Sequence, residues 1–143
     1  ASGSKRRHEL LNQLGVKFKI VNQDVEESFS NDLRCSEITD YLAKKKSSLL
    51  VEKLKKNDLL ITSDTIVWHK NRSLGKPKNR DEAFEMIKSL ENSSHEVITS
   101  ICISTIKSQV IVNEKTLVFF DKIDKNDLLY YTKTSDVLDR AGS

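Results

Sequence analysis

The order of apolar and polar positions predicts interleaved helices and strands along the chain. Leu10, Leu11 and Leu14 fall at helical spacing, with Ser4 at the N-cap position and Gly15 just past the end. "VKFKIV" (16–21) alternates and predicts a strand, followed by the acidic turn "NQDVEES". From 36 to about 56 the pattern is helical, with Ile38, Leu42, Leu49 and Leu50 along one stripe. "DLLITSDTIVWH" (58–69) predicts a buried strand with a polar interruption, and "NRSLGKPKN" a turn and loop. Asn79 with Glu82 forms a capping-box pattern ahead of a helix carrying Ala83, Phe84, Met86, Ile87 and Leu90. "HEVITSICISTI" and "VIVNEKTLVFF", joined by "KSQ", predict an antiparallel hairpin. Asp124 caps a last helix through "DLLYYTK", and "DVLDRAGS" is loop. The predicted class is α/β or α+β with a mixed sheet.

Composition narrows this only slightly. The chain has 143 residues, enough for one domain with a real core. A net charge of +3 is too mild to announce a nucleic-acid binder. Cys35 and Cys102 are far apart and predict free thiols in a reducing compartment. The apolar runs are strand-sized and nothing has the form of a signal peptide, so the expectation is a cytoplasmic protein without membrane contact.

Several residues break the local pattern, and such breaks tend to mark functional sites. Lys5, Arg6 and Arg7 open the first helix, where the macrodipole is already positive and each cation costs ~0.3–1 kcal/mol. A solvated terminus tolerates that charge. Alternatively an anion sits there: free N–H groups, the hydroxyls of Ser2 and Ser4, the guanidiniums and a close-approaching Gly3 suit a phosphate. Lys46 lies on the apolar stripe of the long helix, either as a lysine snorkelling at the core edge or as part of a solvated run with Lys44 and Lys45. Asp64 interrupts a buried strand, where a carboxylate is costly unless it is paired, ligates a metal or accepts backbone N–H bonds. Lys76 is held between Gly75 and Pro77 in what is otherwise an ordinary turn. His69 and His95 are not spaced as a metal pair, and Trp68 is expected to pack rather than stack on a base.

In order, these breaks resemble the Maf proteins, nucleotide pyrophosphatases also described as septum-formation inhibitors. The family opening S-x-S-P-R-R-x-E-L-L is matched by "SGSKRRHELL", A-D-T-I-V by "SDTIV", and the G-K-P loop by "LGKP" followed by "DEAFEMIKSL". H-x-V-x-T is matched by "HEVIT", and the late D-K-A-G by "DRAG". Lys5 stands for the family proline, Asn92 for a glycine and Arg140 for a lysine. The resemblance spans the whole chain and implies one Maf-like domain. It also implies that a short strand before the first serine, and a glutamine-bearing segment after the Gly turn, are missing from it.

The fold so implied is a mixed twisted sheet flanked by helices, two lobes around a cleft, similar to the enzymes that clear inosine triphosphate. The activity implied is cleavage of a nucleoside triphosphate between the α and β phosphates with a divalent metal, Mg²⁺ or Mn²⁺. Asp64 would be the general base, and Glu27 with Asp64 would hold the metal. Ser2, Arg6, Arg7, Lys46 and Lys76 would hold phosphate oxygens. Thr65 and the Asp139–Arg140 pair resemble the members that prefer dTTP and UTP, with modified pyrimidines, over those that take 7-methyl-GTP; Arg7 is also tied to this choice. Family members often dimerise, so a homodimer is expected, and nucleic acid is not an expected partner. A non-catalytic regulator of septum formation, binding nucleotide or nucleic acid, is the alternative from another class.

Overall fold

A computed structural model describes residues 4–22, 24–133 and 135–143. In chain order it contains α1 (Lys5–Gln13), α2 (Ser36–Val51), β1 (Leu60–His69), β2 (Arg72–Leu74), α3 (Arg80–Ser89), β3 (Ser93–Ser104), β4 (Gln109–Phe120), α4 (Lys125–Thr132) and a 3₁₀ turn (Ser135–Asp139). The strands form one sheet in the order β2-β1-β3-β4. The α/β class is as expected. Every pairing among the described strands is antiparallel, so the parallel partner that a mixed sheet requires is not found among them.

Strand alternation gives the sheet two different faces. Ile66 and Ile98 point to one face and pack with Ile38 and Leu42 of α2, with Trp68 against the same cluster. Val67 and Val97 point to the other, where Leu74, Met86, Leu90, Phe120 and Ala141 gather. Burial on both faces explains the apolar runs Leu60–Ile61 and Ile66–Trp68 at either end of β1, with the polar Thr62–Thr65 stretch between them.

Small polar residues decide how α2 sits. The Thr39 and Ser100 hydroxyls lie 2.6 Å apart, those of Ser47 and Ser104 2.7 Å apart, and Thr62 Oγ1 donates to Ala43 O at 2.7 Å. Ala43, Ser47, Ser100 and Ser104 carry no bulk, which lets the helix approach the sheet closely while its buried hydroxyls stay hydrogen-bonded.

The predicted caps of the later helices form. Asn79 Oδ1 accepts from Glu82 N, and Asp124 Oδ1 from the N–H groups of Asn126 and Asp127. The Glu82 carboxylate reaches one residue further back than a capping box requires, accepting from Lys78 N at 2.7 Å.

Four expectations need correction. Residues 16–21 are not a strand: none of the described strands pairs with them, and Val16, Ile20 and Val21 remain exposed. The long helix ends at Val51 rather than near 56, and Leu49 is exposed because the inward stripe runs through Ala43 and Ser47. Residues 72–74, expected in a loop, form the short β2 against β1. Ser4 occupies the N-cap position of α1, but its hydroxyl does not bond the helix N–H groups.

Candidate active site

Asp64 projects from β1 on the same face as Ile66, toward α2. It is 5% exposed, so its charge must be compensated locally. Lys46, one turn beyond Leu42 on α2, supplies the compensation: its Nζ donates to Asp64 Oδ1 at 2.5 Å. The inward reading of Lys46 is therefore the one the fold adopts. Its ammonium also lies 2.7 Å from Glu27 Oε1, in the irregular segment ahead of α2. Phe29 anchors that segment on the α2 cluster, and Lys45 Nζ donates to the carbonyl and hydroxyl of Ser28. Glu27 is thereby held over Lys46.

Arg7 approaches from the opposite side of β1. Its guanidinium donates to Ser63 O at 2.8 Å and to Thr65 Oγ1 at 2.9 Å. Thr65 Oγ1 in turn lies 3.0 Å from Thr99 Oγ1 on β3. Thr65 is next to Asp64 in sequence but on the other face of the strand, so its hydroxyl serves Arg7 rather than the carboxylate.

Burial dominates the electrostatics. It pushes the Asp64 carboxyl above the ordinary value, while the Lys46 hydrogen bond, the Lys46 charge and Arg7 pull it back and Glu27 adds to the rise. Burial also lowers the Arg7 guanidinium, against the opposing pull of Asp64 and Glu27. Asp64 is thus a carboxylate with raised basicity, ringed by cations.

A second cluster forms at the exposed rim. Lys76 Nζ lies 2.5 Å from Asp139 Oδ1. Gly142 N donates to Gly75 O at 3.0 Å, tying the end of the described chain to the Gly75–Lys76 loop. The Lys76 hydrogen bond holds the Asp139 carboxyl below its ordinary value, with the Lys76, Arg6 and Lys5 charges adding to the effect. The exposed Arg6 therefore faces the rim cluster, whereas Arg7 turns inward. Arg140 follows Asp139 and is half-buried. Ser2 lies outside the described residues, so the expected meeting of serine hydroxyls and guanidiniums is seen only as this division between Arg6 and Arg7.

Sequence reasoning missed two contributors, the carbonyl of Ser63 and the hydroxyl of Thr99. Thr99 could have been found from register: it sits directly opposite Thr65 once the hairpin is paired with β1. For a metal, the donor chemistry fits. Asp64 and Glu27 are hard oxygen ligands that meet at one cation, as Mg²⁺ or Mn²⁺ would require. No group of three His, Cys, Asp or Glu residues placed to hold a metal occurs among the described residues. Two carboxylates leave the other positions to water and phosphate oxygens, the usual arrangement for Mg²⁺.

Residues 1–143 match the family model described as Maf-like protein. The chain belongs to the Maf family. A dTTP/UTP pyrophosphatase of Flavobacterium johnsoniae is 44% identical to this Maf chain over 143 residues, all of the chain and 74% of the relative. One of Flavobacterium psychrophilum is 46% identical over 143 residues, covering 73% of the relative, and one of Bacteroides fragilis is 40% identical over 144 residues, covering 75%. No helix among the described residues of the Maf chain is long and apolar enough to cross a membrane.

Proposed function

We propose that this Maf chain is a nucleoside triphosphate pyrophosphatase that hydrolyses dTTP and UTP to the monophosphate and pyrophosphate. The observation that carries the reading is the buried Asp64 carboxylate, bonded to Lys46 and facing the field of Arg7 from the other side of β1. Lys46 alone supplies the near counter-charge that a buried structural carboxylate in mid-strand needs, and Arg7 adds a second positive field beside it. A base that must sit beside a polyanion has a use for both. The names of the relatives supply the substrate class.

Asp64 takes a proton from water, and the water oxygen attacks the α-phosphorus in line as the bond to the bridging oxygen of the β-phosphate breaks. Raised basicity suits that role. Lys46 and Arg7 offset charge on the phosphate oxygens, while Arg6 and Lys76 wait at the rim for the outer phosphates. A divalent cation held by Asp64 and Glu27, when bound, would supply Lewis-acid neutralisation of the phosphates. Each carboxylate has two oxygens, so ligation through one leaves the other free for the proton. Thr65 sets the base preference by fixing Arg7, together with the Asp139–Arg140 pair at the rim. The reading carries with it a cytoplasmic homodimer that needs no nucleic-acid partner.

Purified protein with Mg²⁺ or Mn²⁺ and a panel of triphosphates tests this. Release of pyrophosphate, with the highest kcat/KM for dTTP and UTP, is expected. Orthophosphate as the product would overturn cleavage between the α and β phosphates, and a preference for 7-methyl-GTP would overturn the pyrimidine assignment.

A further inference from the structure

Lys46 has two partners, and they are the two carboxylates best suited to a hard cation. Its Nζ lies 2.5 Å from Asp64 Oδ1 and 2.7 Å from Glu27 Oε1. The Lys46 side chain is only 16% exposed and that of Asp64 8%, so this ammonium is the near neutralising charge for a carboxylate that water hardly reaches. An ammonium and a divalent cation repel one another, and in a poorly solvated site that repulsion is weakly screened. They cannot both lie between the same pair of oxygens.

We infer that Lys46 makes metal loading conditional on the triphosphate: without nucleotide its ammonium closes the Asp64–Glu27 pair, and phosphate oxygens draw it away and open the pair to the cation. The inference rests on the pyrophosphatase reading and deepens it. The build of the clamp supports it. Lys46 stands on a rigid helix fixed by Ile38, Leu42 and the Ser47–Ser104 contact, while its flexible four-carbon stem lets the charged head swing without moving the backbone. Glu27 is 58% exposed on irregular chain and needs no partner to stay solvated, so releasing it costs little. Asp64, once released, requires another cation at once. By linkage, whatever the nucleotide adds to metal affinity the metal returns to nucleotide affinity.

The test reads metal binding rather than turnover, because a triphosphate binds cations by itself and would mask the effect. Mn²⁺ alone is titrated into the nucleotide-free protein, following the electron paramagnetic resonance signal of the free ion. Lys46→Met is expected to bind Mn²⁺ about tenfold or more tightly than wild type. Adding Glu27→Gln to that variant is expected to remove the gain. Unchanged or weaker Mn²⁺ binding by folded Lys46→Met would overturn the inference. So would a gain that survives Glu27→Gln. Should Lys46→Met fail to fold, Lys46→Gln keeps a polar head without the charge and must show the same tightening. Pyrophosphate release from dTTP by wild type is measured beside it. Hydrolysis without tightening removes the clamp alone, whereas tightening in a protein that hydrolyses no triphosphate removes the pyrophosphatase reading.

Discussion

The hydroxyls of Thr65 and Thr99 lie 3.0 Å apart across β1 and β3, and Thr65 also receives Arg7 Nη2 at 2.9 Å. A hydroxyl shared in this way holds the guanidinium in one orientation. Thr65→Val keeps the shape and removes the acceptor, leaving a half-buried cation short of one partner. Hydrogen bonds to charged groups are worth ~1.5–3 kcal/mol, so KM for the triphosphate should rise about tenfold to a hundredfold. Thr65→Ser should restore most of it. Steady-state kinetics on the three proteins check this, and equal losses in both variants would remove the hydroxyl from the account.

Asp64→Asn separates the base from its surroundings. Asparagine is nearly isosteric and still accepts from Lys46, while Glu27 keeps the ammonium paired. The expected loss in kcat is about 10²–10⁴, the span of general base catalysis. Stability should move the other way with pH. Burial raises Asp64 in the folded state, so its contribution is fully present below the ordinary carboxylate value of ~3.9 and is lost as pH rises through the folded value. Thermal melts of wild type and variant near pH 4 and pH 7.5 should show the variant gaining relative to wild type at the higher pH. A large loss of Tm at both would make Asp64 a structural residue.

The elements with strong periodicity and explicit caps were legible: α3 with Asn79, α4 with Asp124, the β3–β4 hairpin and the core stripe of α2 through Ile38 and Leu42. Alternation in 16–21 misled because period alone cannot supply a partner strand. Leu49 misled because the inward stripe of α2 continues from Ile38 and Leu42 through Ala43, Ser47 and Leu50, and apolar counting overlooks the alanine and serine. At the site, Asp64 and Lys46 each stood out as a polar residue on an apolar face, and their pairing is what satisfies both. Their tie to Glu27 depends on Phe29 and Lys45 fixing an irregular segment, which no local pattern records. Thr99 needed the register, and the division of labour between Arg6 and Arg7 needed the placement of α1 against β1.

Gly142 carries a backbone requirement with a direct readout. Its φ is +76°, and a Cβ built there would lie 2.6 Å from Val67 Cγ2 and 3.0 Å from Val67 Cβ. Val67 belongs to the cluster with Leu74 and Leu90 and has little room to yield. Gly142→Ala combines left-handed strain with overpacking and should cost about 1–3 kcal/mol, lowering Tm by about 3 °C or more. Displacing the turn also loosens the Gly142–Gly75 hydrogen bond that holds Lys76 near Asp139. KM should therefore rise more than kcat falls. Gly75→Ala is the control, because nothing lies within 4 Å of the Cβ position there.

His95 predicts a loss of stability on the acid side that is independent of the chemistry. It sits on β3 one position beyond the Trp68–Glu96 pair, is 5% exposed, and stacks edge-on against Phe120 with ring centroids 5.0 Å apart. Burial lowers its pKa, and the neighbouring His69 adds to the shift. Among the described residues neither His95 Nδ1 nor His69 Nε2 has a hydrogen-bond partner, while His69 Nδ1 lies 3.1 Å from Ser94 O. A ring so placed is held neutral, and its protonation puts a charge into the cluster around Phe120. Because the folded pKa lies below the unfolded value of ~6.5, the stabilisation is present above that pH and is lost as pH falls through the folded pKa. Tm should fall as the buffer is taken from pH 7.5 toward pH 5, and His95→Gln, which does not titrate, should flatten that slope even if it lowers Tm overall. Fluorescence or calorimetric melts across the range decide it: a slope unchanged in His95→Gln would assign the acid sensitivity to another group.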